Sequence, residues 1–223
     1  NNPSSNYAGL FSVANNGTVI ANLSMDGIMF SKNFAGGIVS SITNSEVKNC
    51  ASFATIISDK RAGGIVGLSV NSKIHGCTFE GTVEGENAGG ICGGGYITEV
   101  SYCANKGDVD GINAAGIMGG SSSAAYNGKT YVYASYNLGN ITGTAVSGIA
   151  MDAAIVEGCY TTGLLTCSDV SKSAYICSGC VIQTCFFLEN TGTEGIDKSG
   201  TQRTAANMGN MAFTKRFFES TDY

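Results

Sequence analysis

The sequence predicts an all-β fold: a single-domain right-handed parallel β-helix (β-solenoid) of about seven coils, finished by a short C-terminal capping helix. Three observations lead there. The landmarks of the stretch 62–83, AGGIVGLSVNSKIHGCTFEGTV, recur along the chain every 26 or 27 residues. The copies are punctuated by Gly and rich in Val, Ile and Thr, with no 3.6-residue periodicity long enough for a helix. Each copy has too few apolar residues to bury itself, so neighbours must stack into one continuous core. A β-propeller has a similar composition, but its blades need about 40–50 residues.

Three columns carry the period. The first pairs a small residue with an aliphatic one: Gly9-Leu10, Gly37-Ile38, Gly64-Ile65, Gly90-Ile91, Gly116-Ile117, Gly148-Ile149 and a degenerate Tyr175-Ile176. The second is large and apolar: Ile20, Val47, Ile74, Val100, Tyr133, Val156 and Ile182. The third follows three residues later: Leu23, Cys50, Cys77, Cys103, Tyr136, Cys159 and Cys185. A looser fourth column holds Ile56, Val83, Val109, Ile141 and Leu165. Stacked at the inter-strand spacing of about 4.8 Å, seven coils make a core about 30–35 Å long. The glycines are expected where the chain turns between faces, since Gly takes positive φ freely.

Residues 1–34 read as a capping first coil, with Leu23 standing where later coils have Cys. Solenoid ends expose apolar rungs and strand edges, so terminal repeats are atypical. Coils two to four, 35–118, are the most regular. An insertion, GGSSSAAYNGKTY, then stretches the gap between the first two columns from nine residues to sixteen. Insertions in a solenoid map to loops on one face, often the binding face. Tyr126, Asn127, Lys129 and Tyr131 are therefore the candidate binding residues. The repeat domain is placed at 1–200 and a helical cap at 201–223. In the cap Thr204 is a suitable N-cap, Met208, Met211, Ala212 and Phe218 have helical spacing, and Lys215 and Arg216 lie near the C-terminal end.

The runs AGGIVG, SKIHGCTFEGTVEG and AGGICGGGYITEVSYCANKGDVDG resemble the GLUG repeat of bacterial surface proteins. The likeness covers roughly residues 8–190 and rests on the Gly-Gly-Ile and Ile-x-x-Cys columns. It loosens at 119–131 and after Gly163. The resemblance implies a stalk or adhesion module of a bacterial cell-surface or secreted protein. Such repeats also stand beside the catalytic domain of immunoglobulin-A metallopeptidases. They carry no catalytic residues that map onto this chain.

Composition narrows the function further. With 12 Lys and Arg against 17 Asp and Glu, the net charge is −5 and no basic face is available for phosphate backbones. Nucleic acid is thus disfavoured as a partner. No apolar run reaches the roughly 18 residues of a membrane span, so membrane insertion is not expected. The chain starts without Met or signal-like features, which reads as a trimmed start, and other domains are expected to flank it.

Candidate chemistry is sparse. The cysteine column accepts Leu and Tyr, which marks buried bulk, and free Cys packs as a small hydrophobe. In-register Cβ atoms about 4.8 Å apart suit disulfides poorly. Cys177-Ser-Gly-Cys180 is the one C-x-x-C, without the second pair that structural zinc wants. A disulfide involving Cys167, Cys177 or Cys180 remains open. His75, the sole histidine, is expected to face solvent, and no triad partner is evident in the sequence. Glu84 and Asp110 fall at one position of adjacent coils, with Glu80, Glu86 and Asp108 nearby. Like charges so stacked repel, so the patch is either a solvated acidic face or a weak Ca²⁺ site.

No cofactor is implied. The expected function is a non-catalytic, rigid adhesion, display or spacer module, extracellular on the bacterial surface or secreted, that meets a host or matrix protein or a glycan. The competing reading is a carbohydrate-active β-helix enzyme, a polysaccharide lyase or hydrolase, using an acidic groove around Glu84 and Asp110.

Overall fold

The structure, a computed structural model, describes residues 5–120, 130–152, 155–188, 191–194 and 196–204. These form a parallel β-solenoid of about six turns. One coil shows the plan. The chain runs through Thr55–Gly63, Val66–Val70, Lys73–His75 and Thr78–Phe79 before Thr82–Gly89 returns beside Thr55–Gly63. Each segment belongs to a different sheet, here called first to fourth in that order, and pairs in parallel with its equivalents above and below. The third sheet has seven strands, which are six windings from first to last.

The predicted interior is where the columns put it. Ile38, Ile65, Ile91, Ile117, Ile149 and Ile176 are all fully buried. Each of their N–H groups but the last donates to the carbonyl of the next, over 2.8–3.0 Å. Ile56, Val83, Val109, Ile141 and Leu165 stack in register in the first sheet. The change of period also has a visible cause. Between Ser58 and Arg61 the strand carries one residue more than its partner between Gly85 and Asn87. This bulge makes one winding 27 residues and the next 26, while leaving the columns aligned.

Two column assignments are corrected. In the coil after the insertion, Val132, not Tyr133, pairs with Val100 and Val156 and is buried. Tyr133 pairs with Ser101 and Glu157, one position on, and so faces outward. The cysteine column in this coil is accordingly filled by Ser135, whose Oγ accepts from the Cys103 N–H at 3.1 Å. Tyr136 lies on the fourth sheet, its ring stacked on Tyr160 at 5.0 Å. The insertion disturbs the residue count, and strand alternation in Tyr131-Val132-Tyr133 turns the Val inward and both tyrosines outward.

The expectation for glycines also changes. Gly64 takes no left-handed conformation; a Cβ there would run into the Gly90 carbonyl and the Phe79 ring. These column glycines let successive coils approach closely. The left-handed turns are shared between the two residues: Asn16, Asn22, Asn44, Asn49 and Asn71 have φ between 45° and 58°, and Gly17, Gly76, Gly158 and Gly179 between 63° and 81°. Asn tolerates that region better than other non-Gly residues.

Cys50, Cys77, Cys103, Cys159 and Cys185 are free and buried, Cys167 is free and half-buried, and Cys177 and Cys180 form a disulfide with Cα atoms 6.0 Å apart. Of the expected cap, Thr201–Arg203 is instead a strand, paired with Phe186–Leu188 in the fourth sheet. The helix over Met208 to Phe218 lies outside the described residues.

Candidate functional site

The outer surface of the third sheet holds a groove of about 850 Å³. Five successive strands build it: Glu46–Lys48, Lys73–His75, Glu99–Ser101, Tyr131–Tyr133 and Ile155–Glu157. In each, the central residue points into the core: Val47, Ile74, Val100, Val132 and Val156 are all fully buried. Period-2 alternation then turns both flanking side chains outward. The groove is thus the reverse side of the second column.

Aromatic rings occupy its middle. The Tyr102 ring meets His75 at 5.1 Å and Tyr133 at 5.8 Å, both edge-to-face, the arrangement aromatic quadrupoles favour. His75 Nδ1 lies 3.0 Å from Ser101 Oγ. The Tyr133 hydroxyl donates to Glu99 at 2.9 Å. Burial first, and then that carboxylate, raise the Tyr133 pKa, so the phenol keeps its proton. Lys48 pairs with Glu46 at 3.5 Å and Lys73 with Glu99 at 3.7 Å.

Tyr102 holds its position at a conformational cost. It sits at the turn from third to fourth sheet, where equivalent residues are Asn22, Asn49, Gly76, Ala134, Gly158 and Thr184, all with positive φ. A tyrosine at φ 53° has no local way to offset the left-handed geometry, which costs about 1–2 kcal/mol. Strained residues of this kind cluster at functional sites. The backbone is over-determined there: the Tyr102 N–H donates to Tyr133 O at 3.3 Å and the Gly76 N–H to Ser101 O at 3.0 Å.

His75 lies on the outer face as expected, half-buried there between Tyr102 and Ser101. The structure also brings it a serine that the linear sequence keeps 26 residues away. Ser101 has no exposed surface, so its oxygen is out of reach of a substrate and the pair orients the imidazole.

Of the residues predicted to bind, Tyr126, Asn127 and Lys129 lie outside the described residues. Tyr131 is exposed, but in a strand rather than on the insertion loop, beside Glu99 and Ile155 at the groove edge. Glu84 and Asp110 are in-register neighbours of the first sheet, flanked by Ile57 and Thr142. They line a separate depression of about 560 Å³ with Asp59 and Glu86. Among the described residues no three His, Cys, Asp or Glu side chains gather as a metal site. Glu80 is taken up by Lys106 at 2.6 Å, and Asp108 accepts from the Asn140 N–H at 3.0 Å.

Sequence reasoning missed Tyr102, Tyr133, Glu99 and Glu157. A signal for Tyr102 existed: it interrupts a turn position otherwise held by Asn, Gly and small residues.

Comparison with known proteins adds three findings. No curated protein matches the chain. A Bacteroides ovatus crystal structure described as a candidate immunoglobulin A1 protease superposes with a TM-score of 0.49 and 17% identity, covering 86% of this chain and 68% of that one. The GLUG motif matches residues 58–84, from the first-sheet bulge through the Gly64, Ile74 and Cys77 columns to Glu84, and this chain is a β-solenoid that carries it.

Proposed function

We propose that the chain is a non-catalytic display module of a bacterial cell-surface or secreted protein, a stiff rod of seven right-handed coils, capped C-terminally by a helix and flanked by other domains. Its work is to hold a recognition surface rigid in front of a host or matrix partner. The observation that carries this reading is the groove on the third sheet. Its side chains stand on five strands whose inward residues are wholly buried, so their spacing is preset. Preset geometry lowers the ordering cost of binding. The chemistry of the site supports binding rather than turnover: its one histidine leans on a buried serine, and the lysines are engaged with carboxylates.

The experiment is two-armed. Beads coated with the protein are expected to adhere to host cells or extracellular matrix, with loss of adhesion in Tyr133→Ala. Incubation with polysaccharides is expected to generate neither new reducing ends nor unsaturated products. Turnover at either depression would overturn the reading, as would uncoated beads adhering equally well.

A further inference from the structure

We infer that the groove of the third sheet binds an uncharged oligosaccharide, with Tyr102 as its central contact; this rests on the display reading above and names the ligand class of the same site. Three properties of the groove converge. Its rings, Tyr102 with 38% of its surface accessible and the half-buried Tyr133 beside it, offer aromatic surface to the C–H faces of a sugar. The carboxylates of Glu46, Glu99 and Glu157 offer acceptors to hydroxyl groups, and Lys48 and Lys73 offer donors.

The lining argues against a protein as occupant. Protein interfaces are anchored by a desolvated apolar centre, and no Leu, Ile, Val, Met or Phe lines this groove. Its length favours a chain of sugars over a single ring: five strands at about 4.8 Å span about 19 Å. Charge selects among sugars. Glu46 and Glu99 are each paired with a lysine, which leaves Glu157 as net negative charge in a molecule of net charge −5. Sialylated and uronic glycans are repelled by such a surface. The strain at Tyr102 fits the same account, since a glycine at that turn would relieve it and would remove the ring.

The test uses the whole chain on a glycan array carrying neutral, sialylated and uronic-acid oligosaccharides, followed by titration calorimetry with any neutral hit. Wild type is expected to bind neutral glycans. Tyr102→Gly is expected to weaken binding about tenfold or more while its Tm stays level or rises. Glu84→Gln, on the first sheet, should bind as wild type does. Three results would overturn the inference: no neutral glycan bound, binding confined to acidic glycans, or full affinity retained in Tyr102→Gly. Adhesion of coated beads that survives enzymatic deglycosylation of the cells would also overturn it, while leaving the display module standing. Turnover of a bound glycan would do the opposite, removing the non-catalytic reading and keeping the ligand class.

Discussion

Ile91 and Leu10 occupy the same column of the repeat, and the structure assigns them opposite energetic weights. Ile91 is fully buried at mid-stack, with its N–H donating to Ile117 O at 3.0 Å and its carbonyl accepting from the Ile65 N–H at 3.0 Å. Replacing a buried Ile by Ala costs about 2–5 kcal/mol, depending on how far the site can collapse into the cavity. Here collapse is resisted from both sides, because the coil is pinned to two neighbours. The upper half of that range, about 3.5–5 kcal/mol, is therefore expected for Ile91→Ala. In a domain of this size each kcal/mol moves Tm by about 2–4 °C, so the melting point should fall by about 7–20 °C. Leu10 is 49% exposed on the first coil, where the adjoining strand Phe11–Asn15 pairs on one side only among the described residues. Leu10→Ala should cost under about 1 kcal/mol. Ile91→Asp, which buries a charge with no partner, should prevent stable folding. Urea titrations followed by far-ultraviolet circular dichroism measure all three. A cost below about 1 kcal/mol for Ile91→Ala, or equal costs for Ile91→Ala and Leu10→Ala, would refute the stacked-ladder account.

Gly64→Ala should lower Tm sharply despite adding one carbon, because the new Cβ meets the Gly90 carbonyl and the Phe79 ring; an unchanged melting curve would show that the coils can separate. Burial pushes the Cys92 thiol up from its ordinary 9.0 to about 12. The folded protein then keeps a proton that the unfolded chain loses, so stability is complete below pH 9.0 and declines as pH rises toward 12. At pH 10 the loss from this thiol is about 1.4 kcal/mol. Cys50 and Cys77 are raised too, chiefly by hydrogen bonding along the thiol column, and steepen the decline. Denaturant titrations at pH 8 and pH 10 should show the difference, and Cys92→Ala should reduce it. Tyr102→Gly is expected to melt no lower than wild type, because Gly76 and Gly158 already serve the equivalent turn; a large fall in Tm would mean that the ring contacts outweigh the backbone strain.

The interior was legible because a solenoid repeats its inward residues for one purpose. Ile65, Ile91 and Ile117 recur with their glycines since every coil must fill the same space and approach its neighbour equally closely. Outward residues obey no such demand. Lys48, His75, Ser101, Tyr133 and Glu157 share one column and five chemistries, so the groove they form has no periodic signature. Tyr133 departs from its column for a similar reason: the insertion after Ile117 breaks the residue spacing, and the alternation around Val132 sets the register. Asparagine recurs at the turns beside glycine, a signal readable in the sequence. Asn44 and Asn71 even bond side chain to side chain at 2.6 Å, a small ladder of their own at the bend.

Parallel registration gives this molecule an unusual kind of editability. Thr78 lies directly beside Ala104, so a chain cut after Cys77 and rejoined at Ala104 would meet the same neighbours in the same direction. The product would be one storey shorter and would lack Glu99, Ser101 and Tyr102 as a set. Duplication of a storey would lengthen the outer trough by one step without disturbing what lies beneath. Ancestral gain or loss of windings therefore offers a route by which such a surface changes what it grips while its scaffold stays the same.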